Sequence, residues 1–241
     1  RLIQGQFADA QPQLDEAEEL CDDVADQDLA ARFGHDPVVA VKVYQSLNAS
    51  FRGQTHRAAN YLHAAMTRAS KIGHINTTCT MLGLAGVGAQ VAGDLAAEIR
   101  HLNLLTSLTE EHNVTAARMG VEAAKGLLQL AQGDPKGLDT YLRAEETILQ
   151  ANIRLLVPGH RALAAWRLHE IGLQGAAREM AIAAGALMNE TGEKSWLAEI
   201  YRLQAAFALL DGEQTDAEGV LQHAIRLSER DGATRWWLRA A

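Results

Sequence analysis

The residue types that could do chemistry are few and scattered. Gly83, Gly86 and Gly88 form a G-x-x-G-x-G run. A phosphate cradle of that kind needs a strand before it and a helix after it, with backbone N–H groups turned toward the anion. Here the run lies inside a helical pattern, which makes it a place for close helix packing. His56 and His63 are seven residues apart and can share a helical face. They have no carboxylate or thiol partner at ligand spacing, so they do not specify a metal. Cys79 sits within a helical run as a small core residue, and Cys21 lies among acidic residues that would not activate a thiol. Ser107 with His112, and Ser228 with His223, are neighbours in a polar chain; a nucleophilic triad is defined by geometry, not adjacency. The Asn-x-Ser/Thr sequons at Asn48, Asn76, Asn113 and Asn189 read as chance. No GxxxxGK[ST] loop, paired-Asp metal motif or zinc spacing is present. The sequence therefore implies no catalytic residues, no cofactor and no metal.

What positions these residues is a repeat. A helical run, a glycine, a few polar residues and a second helical run recur along the chain. The pivots are Gly53, Gly93, Gly133, Gly172 and Gly212, spaced by 40, 40, 39 and 40 residues, with a weaker pivot at Gly5. Gly73, Asn113, Gly192 and Gly232 mark a second turn 20 residues after a pivot. In the third repeat Ile153 holds that place, and the turn is expected to slide to Pro158-Gly159. Nine residues before the pivots stand Tyr44, Leu84, Ala124, Leu163 and Leu203; six before stand Leu47, Val87, Leu127, Trp166 and Ala206. Both columns read as core. Seven before stand Ser46, Gly86, Gly126, Ala165 and Ala205, all small, where a neighbouring helix should come close. Nine after stand Leu62, Leu102, Leu142, Ala181 and Leu221. Spacings of three and four on one face are the amphipathic helix pattern.

The predicted helices cover 8–22, 36–51, 54–71, 75–91, 95–111, 115–131, 135–151, 158–170, 173–190, 194–210 and 214–230, with a further one starting near Ala233. Asp36-Pro37 and Asp134-Pro135 each place an N-cap acceptor before a proline at the first helical position. Pro12 falls two turns into a helix, which should be kinked or start late. The expected fold is all-α: one solenoid over 1–241, of five to six helix pairs. Neither end shows a polar capping repeat, so the chain is expected to be part of a larger protein.

Composition agrees. Of 241 residues, 48% are apolar and 22% charged, with only four prolines. The net charge of −8 disfavours a nucleic-acid partner. The longest apolar run, Met81 to Ala89, is too short to cross a bilayer, so no membrane partner is expected. Two cysteines suit a reducing, cytoplasmic setting. The acidic run Asp15 to Asp23 reads as a solvated helix face.

The helix pair with Gly at the inner turn and Ala five residues on, as in Gly53…Ala58, Gly172…Ala177 and Gly212…Ala217, resembles the tetratricopeptide repeat (TPR), stretched to about 40 residues. HEAT and armadillo arrays share the longer period, but the turn speaks for TPR. The third repeat departs, with Leu138 at the alanine position. The stretch Ser195-Trp-Leu-Ala-Glu-Ile-Tyr-Arg-Leu-Gln-Ala, then Asp216-Ala-Glu, His223-Ala-Ile, Asp231-Gly-Ala and Leu238-Arg-Ala-Ala, is similar to one group. Phe33-Gly-His-Asp-Pro and Gly73-His74 fit the same group. These are large bacterial signalling proteins with a nucleotide-cyclase or transcription-factor head, a STAND-type ATPase and a C-terminal TPR-like array.

The resemblance implies a right-handed α-α superhelix and a non-catalytic interaction or sensor module, with any cyclase or ATPase chemistry upstream. It implies protein or peptide partners, including other domains of the same chain. The alternative reading is the ligand- or peptide-sensing domain of a transcriptional regulator; a helical enzyme is a minor one. In TPR pairs the first helix lines the groove, so Gln90, Trp166, His169, Glu199 and Arg202 are the candidate partner-binding residues. Trp166 also lies in a core column and can simply pack. Trp236 and Trp237 should pack on the last complete helix or on a continuation of the array. Exposed array ends could also pair two copies in a homodimer.

Overall fold

The computed structural model describes residues 1–21 and 29–241. These residues form thirteen helices and no strand. They are α1 (Phe7–Glu19), α2 (Leu29–Phe33), α3 (Pro37–Phe51), α4 (Thr55–Ile72), α5 (Ile75–Ala92), α6 (Leu95–Glu111), α7 (Thr115–Ala131), α8 (Gly137–Gln150), α9 (Val157–Glu170), α10 (Gln174–Thr191), α11 (Leu197–Leu210), α12 (Gln214–Asp231) and α13 (Thr234–Ala240). The short α2 was not expected from the spacing. Asp22 and Asp23, the end of the expected first helix and of the acidic run, lie outside the described residues.

The chain divides into two compact units. One is Asp9–Val121; the other joins Arg1–Ala8 to Glu122–Ala241. In the first, α3 packs on α4 and α5, and α5 on α6. In the second, α9 packs on α10, α10 on α11, α11 on α12, and α12 on α13. Within each unit these helices pack on their sequence neighbours, as a helix-pair repeat requires.

The pivots work as their residue type demands. Gly53, Gly93, Gly133, Gly172 and Gly212 all have φ between +67° and +86°. That left-handed conformation turns the chain at a helix C-terminus, and glycine adopts it without a Cβ penalty. Asn113, with φ +54°, makes the same turn in the second repeat.

Three expectations need correction. The third-repeat turn is not at Pro158-Gly159, which lie in the first turn of α9. It is made by Asn152 and Leu156, both left-handed. Asp134 does not cap α8. Its carboxylate accepts the Lys136 N–H at 3.0 Å in a turn, and α8 starts only at Gly137. By contrast, Asp36 caps α3 through the Val39 N–H at 2.8 Å, with Pro37 at the first position. Of the two alternatives for Pro12, the late start does not occur: α1 begins at Phe7 and runs through it. In the column nine residues after the pivots Leu142 is exposed, because the late start of α8 turns Tyr141, Ala144, Glu145 and Ile148 inward instead.

Of the first two core columns, Leu47, Leu84, Val87, Leu127, Leu163 and Leu203 are buried. Tyr44, Ala124, Trp166 and Ala206 are half-buried. The column twelve residues after the pivots is the deeper one: Ala65, Leu105, Glu145, Ala184 and Ala224 are all buried. Four are apolar and one is a carboxylate.

Candidate functional site

Three of the five candidate residues come together. Trp166 on α9, Glu199 and Arg202 on α11, and Arg239 on α13 form one polar-aromatic cluster. The Glu199 side chain is fully enclosed. Arg202 grips it with a fork, Nε donating to Oε2 at 3.0 Å and Nη2 to Oε1 at 2.9 Å. Arg239 Nη2 lies 3.0 Å from the same Oε1. Its guanidinium sits 3.6 Å from the centroid of the Trp166 ring. A cation that close to an aromatic face, and partly desolvated, gains from the ring quadrupole.

The charges settle one another. Burial alone would pull Arg202 down, but the bond to Glu199 and its charge leave it raised. Burial is also the main influence on Arg239 and lowers it, opposed by Glu199 and reinforced by Arg202. Two guanidinia around one buried carboxylate tie α9, α11 and α13 together along one face. Such a group holds shape and charge fixed; it offers no nucleophile beside a base.

The other two candidates lie elsewhere. His169 is half-buried on α9, its Nδ1 2.8 Å from Gln174 Oε1 and its ring edge-on to Phe207 at 5.5 Å. Phe207 forms part of a cavity of about 240 Å³ with Arg178, Ala181, Ile182, Gln204, Ala208, Asp211 and Glu213. Gln90, on α5, is buried and donates to the buried carboxylate of Glu98 at 3.1 Å. It is an internal residue of its helix pair, not an open groove position.

The tryptophans near the C-terminus pack inward. Trp236 is buried; its Nε1–H donates to the Ser195 carbonyl at 2.9 Å and its ring lies 4.7 Å from that of Trp196. Trp237 is half-buried and donates to Glu229 on α12 at 3.1 Å.

A second polar cluster was not anticipated. Tyr141 donates to Glu145 Oε1 at 2.5 Å. Arg161 forks onto the same carboxylate at 2.9 and 3.0 Å, and reaches the Ala183 carbonyl at 3.2 Å. Burial, then the Glu145 charge, push the Tyr141 phenol well above its ordinary value. His160 adjoins them. Although the residue is half-buried as a whole, its imidazole is desolvated, which lowers it to about 4 despite Glu145. The signal was Glu145 itself, a charge in the otherwise apolar column twelve residues after the pivots. A second unanticipated residue is Glu193, buried, whose Oε2 accepts the Leu156 N–H at 2.9 Å. From just beyond the C-terminus of α10 it holds Leu156, the N-cap residue of α9, which has no capping side chain of its own. Burial raises its carboxyl above the ordinary value.

Among the described residues no group of three or more His, Cys, Asp or Glu is placed to hold a metal ion. His56 and His63 are both exposed. Cys79 is buried, and burial raises its thiol. Among the described residues no helix is long and apolar enough to cross a membrane. No protein-family model, curated protein or solved structure matches the chain.

Proposed function

We propose that the chain is a non-catalytic interaction and regulatory module whose helix pairs continue as a right-handed TPR-like superhelix. In this reading it belongs to a cytoplasmic bacterial signalling protein. It senses a protein or peptide, other domains of the same polypeptide included, and biases an ATPase or cyclase output. The regular helix-pair architecture supports it, since repeats that touch only their neighbours offer long surfaces and can flex. One observation carries the choice of face. Trp166, Glu199 and Arg202 are joined by Arg239 into a rigid patch across three first helices. Preorganised aromatic and arginine anchors are what binding surfaces use.

The test is calorimetric titration with the nucleotide-binding domain that the resemblance places upstream in the reading frame. A one-to-one complex is expected, weakened roughly tenfold by Arg239→Ala or Trp166→Ala, which is about 1.4 kcal/mol. Arg239→Ala leaves Glu199 bonded to Arg202, so the fold should survive. Nucleotide turnover by the 241-residue chain alone, or a complex indifferent to both changes, would overturn the reading.

A further inference from the structure

The cavity between α10 and α11 has features that the proposed face does not use. Its volume of about 240 Å³ is below the range of small-molecule sites, about 300–1,000 Å³. It is instead the size at which one anchoring side chain of a macromolecule can seat. Its wall is rigid: the Phe207 ring is held edge-on by His169 and covered by the Arg178 guanidinium at 4.9 Å.

The charges at the mouth are uneven. Arg178 is already committed, its Nη2 donating to Asp211 Oδ1 at 2.8 Å and to the Phe207 carbonyl at 3.0 Å. Glu213 is different. It stands at the N-cap position of α12, yet its side chain makes no capping bond, and it is exposed. Among the described residues it forms no ion pair. One positive and two negative side chains thus line the cavity, with a carboxylate left over. At the rim Ile182 is 70% exposed. An isolated exposed aliphatic is ordinary; one beside a cavity and an uncommitted carboxylate is a complementary pair of contacts.

We infer that this cavity docks a partner polypeptide through an apolar side chain flanked by a lysine or arginine, the apolar group entering over Ile182 and Phe207 and the cation meeting Glu213. The inference rests on the interaction-module reading and adds the chemistry of the partner. The chain's net charge of −8 favours the same sign of partner at long range.

The probe is a fluorescent 14-residue helical peptide of leucines at i, i+3, i+4 spacing with lysines elsewhere. A second version has glutamate for every lysine. Anisotropy titrations of the full chain are run at 50 and 300 mM salt. The lysine peptide should bind, and the glutamate version should not. Ile182→Asp should weaken binding roughly tenfold or more at both salts. Glu213→Lys should weaken it several-fold at 50 mM and less at 300 mM, as an exposed charge is screened. Both positions are exposed, and unchanged circular dichroism melts would show that both variants fold. Equal binding of both peptides, or binding untouched by Ile182→Asp, would overturn the inference. So would self-association in sedimentation that Ile182→Asp abolishes, since the occupant would then be a second copy. A partner lost on Trp166→Ala or Arg239→Ala but not on Ile182→Asp would uphold the broader reading and overturn this one.

Discussion

The second and third repeats solve the same packing problem with different chemistry. In the second, Gly93 turns the chain, Asp94 caps α6 through the Ala97 N–H at 2.9 Å, and Leu105 fills the deep core column. In the third, Gly133 turns the chain, but α8 starts late and uncapped. Glu145 stands where Leu105 would be. Its charge is met by Arg161 and Tyr141, which join α8 to α9. The glycines differ in the same way. A Cβ on Gly86 would meet nothing within 4 Å among the described residues. On Gly126 it would stand 2.5 Å from the Tyr141 backbone nitrogen and 2.8 Å from the Gly137 carbonyl. The regular repeat packs apolar side chains at ordinary distance. The irregular one brings two backbones together and fills the remaining space with a hydrogen-bonded ion pair.

The largest effect should come from breaking that ion pair. Glu145→Ala strands a half-buried guanidinium and a buried phenol, and removing one partner of a buried pair costs about 3–5 kcal/mol. Urea unfolding reads it directly. A loss below 1 kcal/mol would mean that the network contributes little and that the two repeats are energetically alike.

Acid should separate the repeats next. His160 lies at about 4 when folded against 6.5 as its ordinary value. Between those values the unfolded chain binds the extra proton, so stability falls as pH drops from 6.5 to about 4, by about 3 kcal/mol from this residue. His101 in the second repeat is lowered too, by burial first and by Arg100, and acts in the same direction. Glu193 opposes both: its raised carboxyl gains stability as pH falls. Unfolding at pH 7 and pH 5 should therefore show a loss on acidification that His160→Gln reduces more than His101→Gln does. Equal reductions would remove the distinction between the repeats.

How far the sequence could be read follows from the same contrast. The pivots were legible because a left-handed turn selects glycine, and a single residue type recurring at 40 residues is visible without a structure. Gly93, Gly172 and Gly212 needed nothing else. The exceptions depend on distant partners. Leu156 adopts φ +68° with its N–H held by Glu193, 37 residues away, and no local pattern announces it. Trp166, Glu199 and Arg202 could be placed on first helices, but their meeting required Arg239 from a helix of seven residues. Gln90 had the right helix and the wrong surroundings, since spacing gives the face of a residue and not what covers it. The small column seven residues before the pivots was legible as a pattern and wrong as a mechanism for Gly86. For Gly126 it was right, because Gly137 happens to face it.

That last pair gives the smallest and sharpest test. Gly126→Ala and Gly86→Ala make the same chemical change at the same place in consecutive repeats. Within a helix, alanine is favoured over glycine by about 0.5–1 kcal/mol, because the unfolded glycine has more freedom to lose. At Gly86 nothing opposes that gain, so the variant should be more stable by up to about 1 kcal/mol. At Gly126 the new methyl meets backbone, which cannot rotate away as a side-chain tip can. Overpacking of that kind costs about 1–3 kcal/mol, which exceeds the propensity gain. The two urea midpoints should therefore move in opposite directions. If both rise, α7 and α8 part easily, and the close approach is not what holds the third repeat. If both fall, α5 is packed against something at Gly86, and the second repeat is as tight as the third.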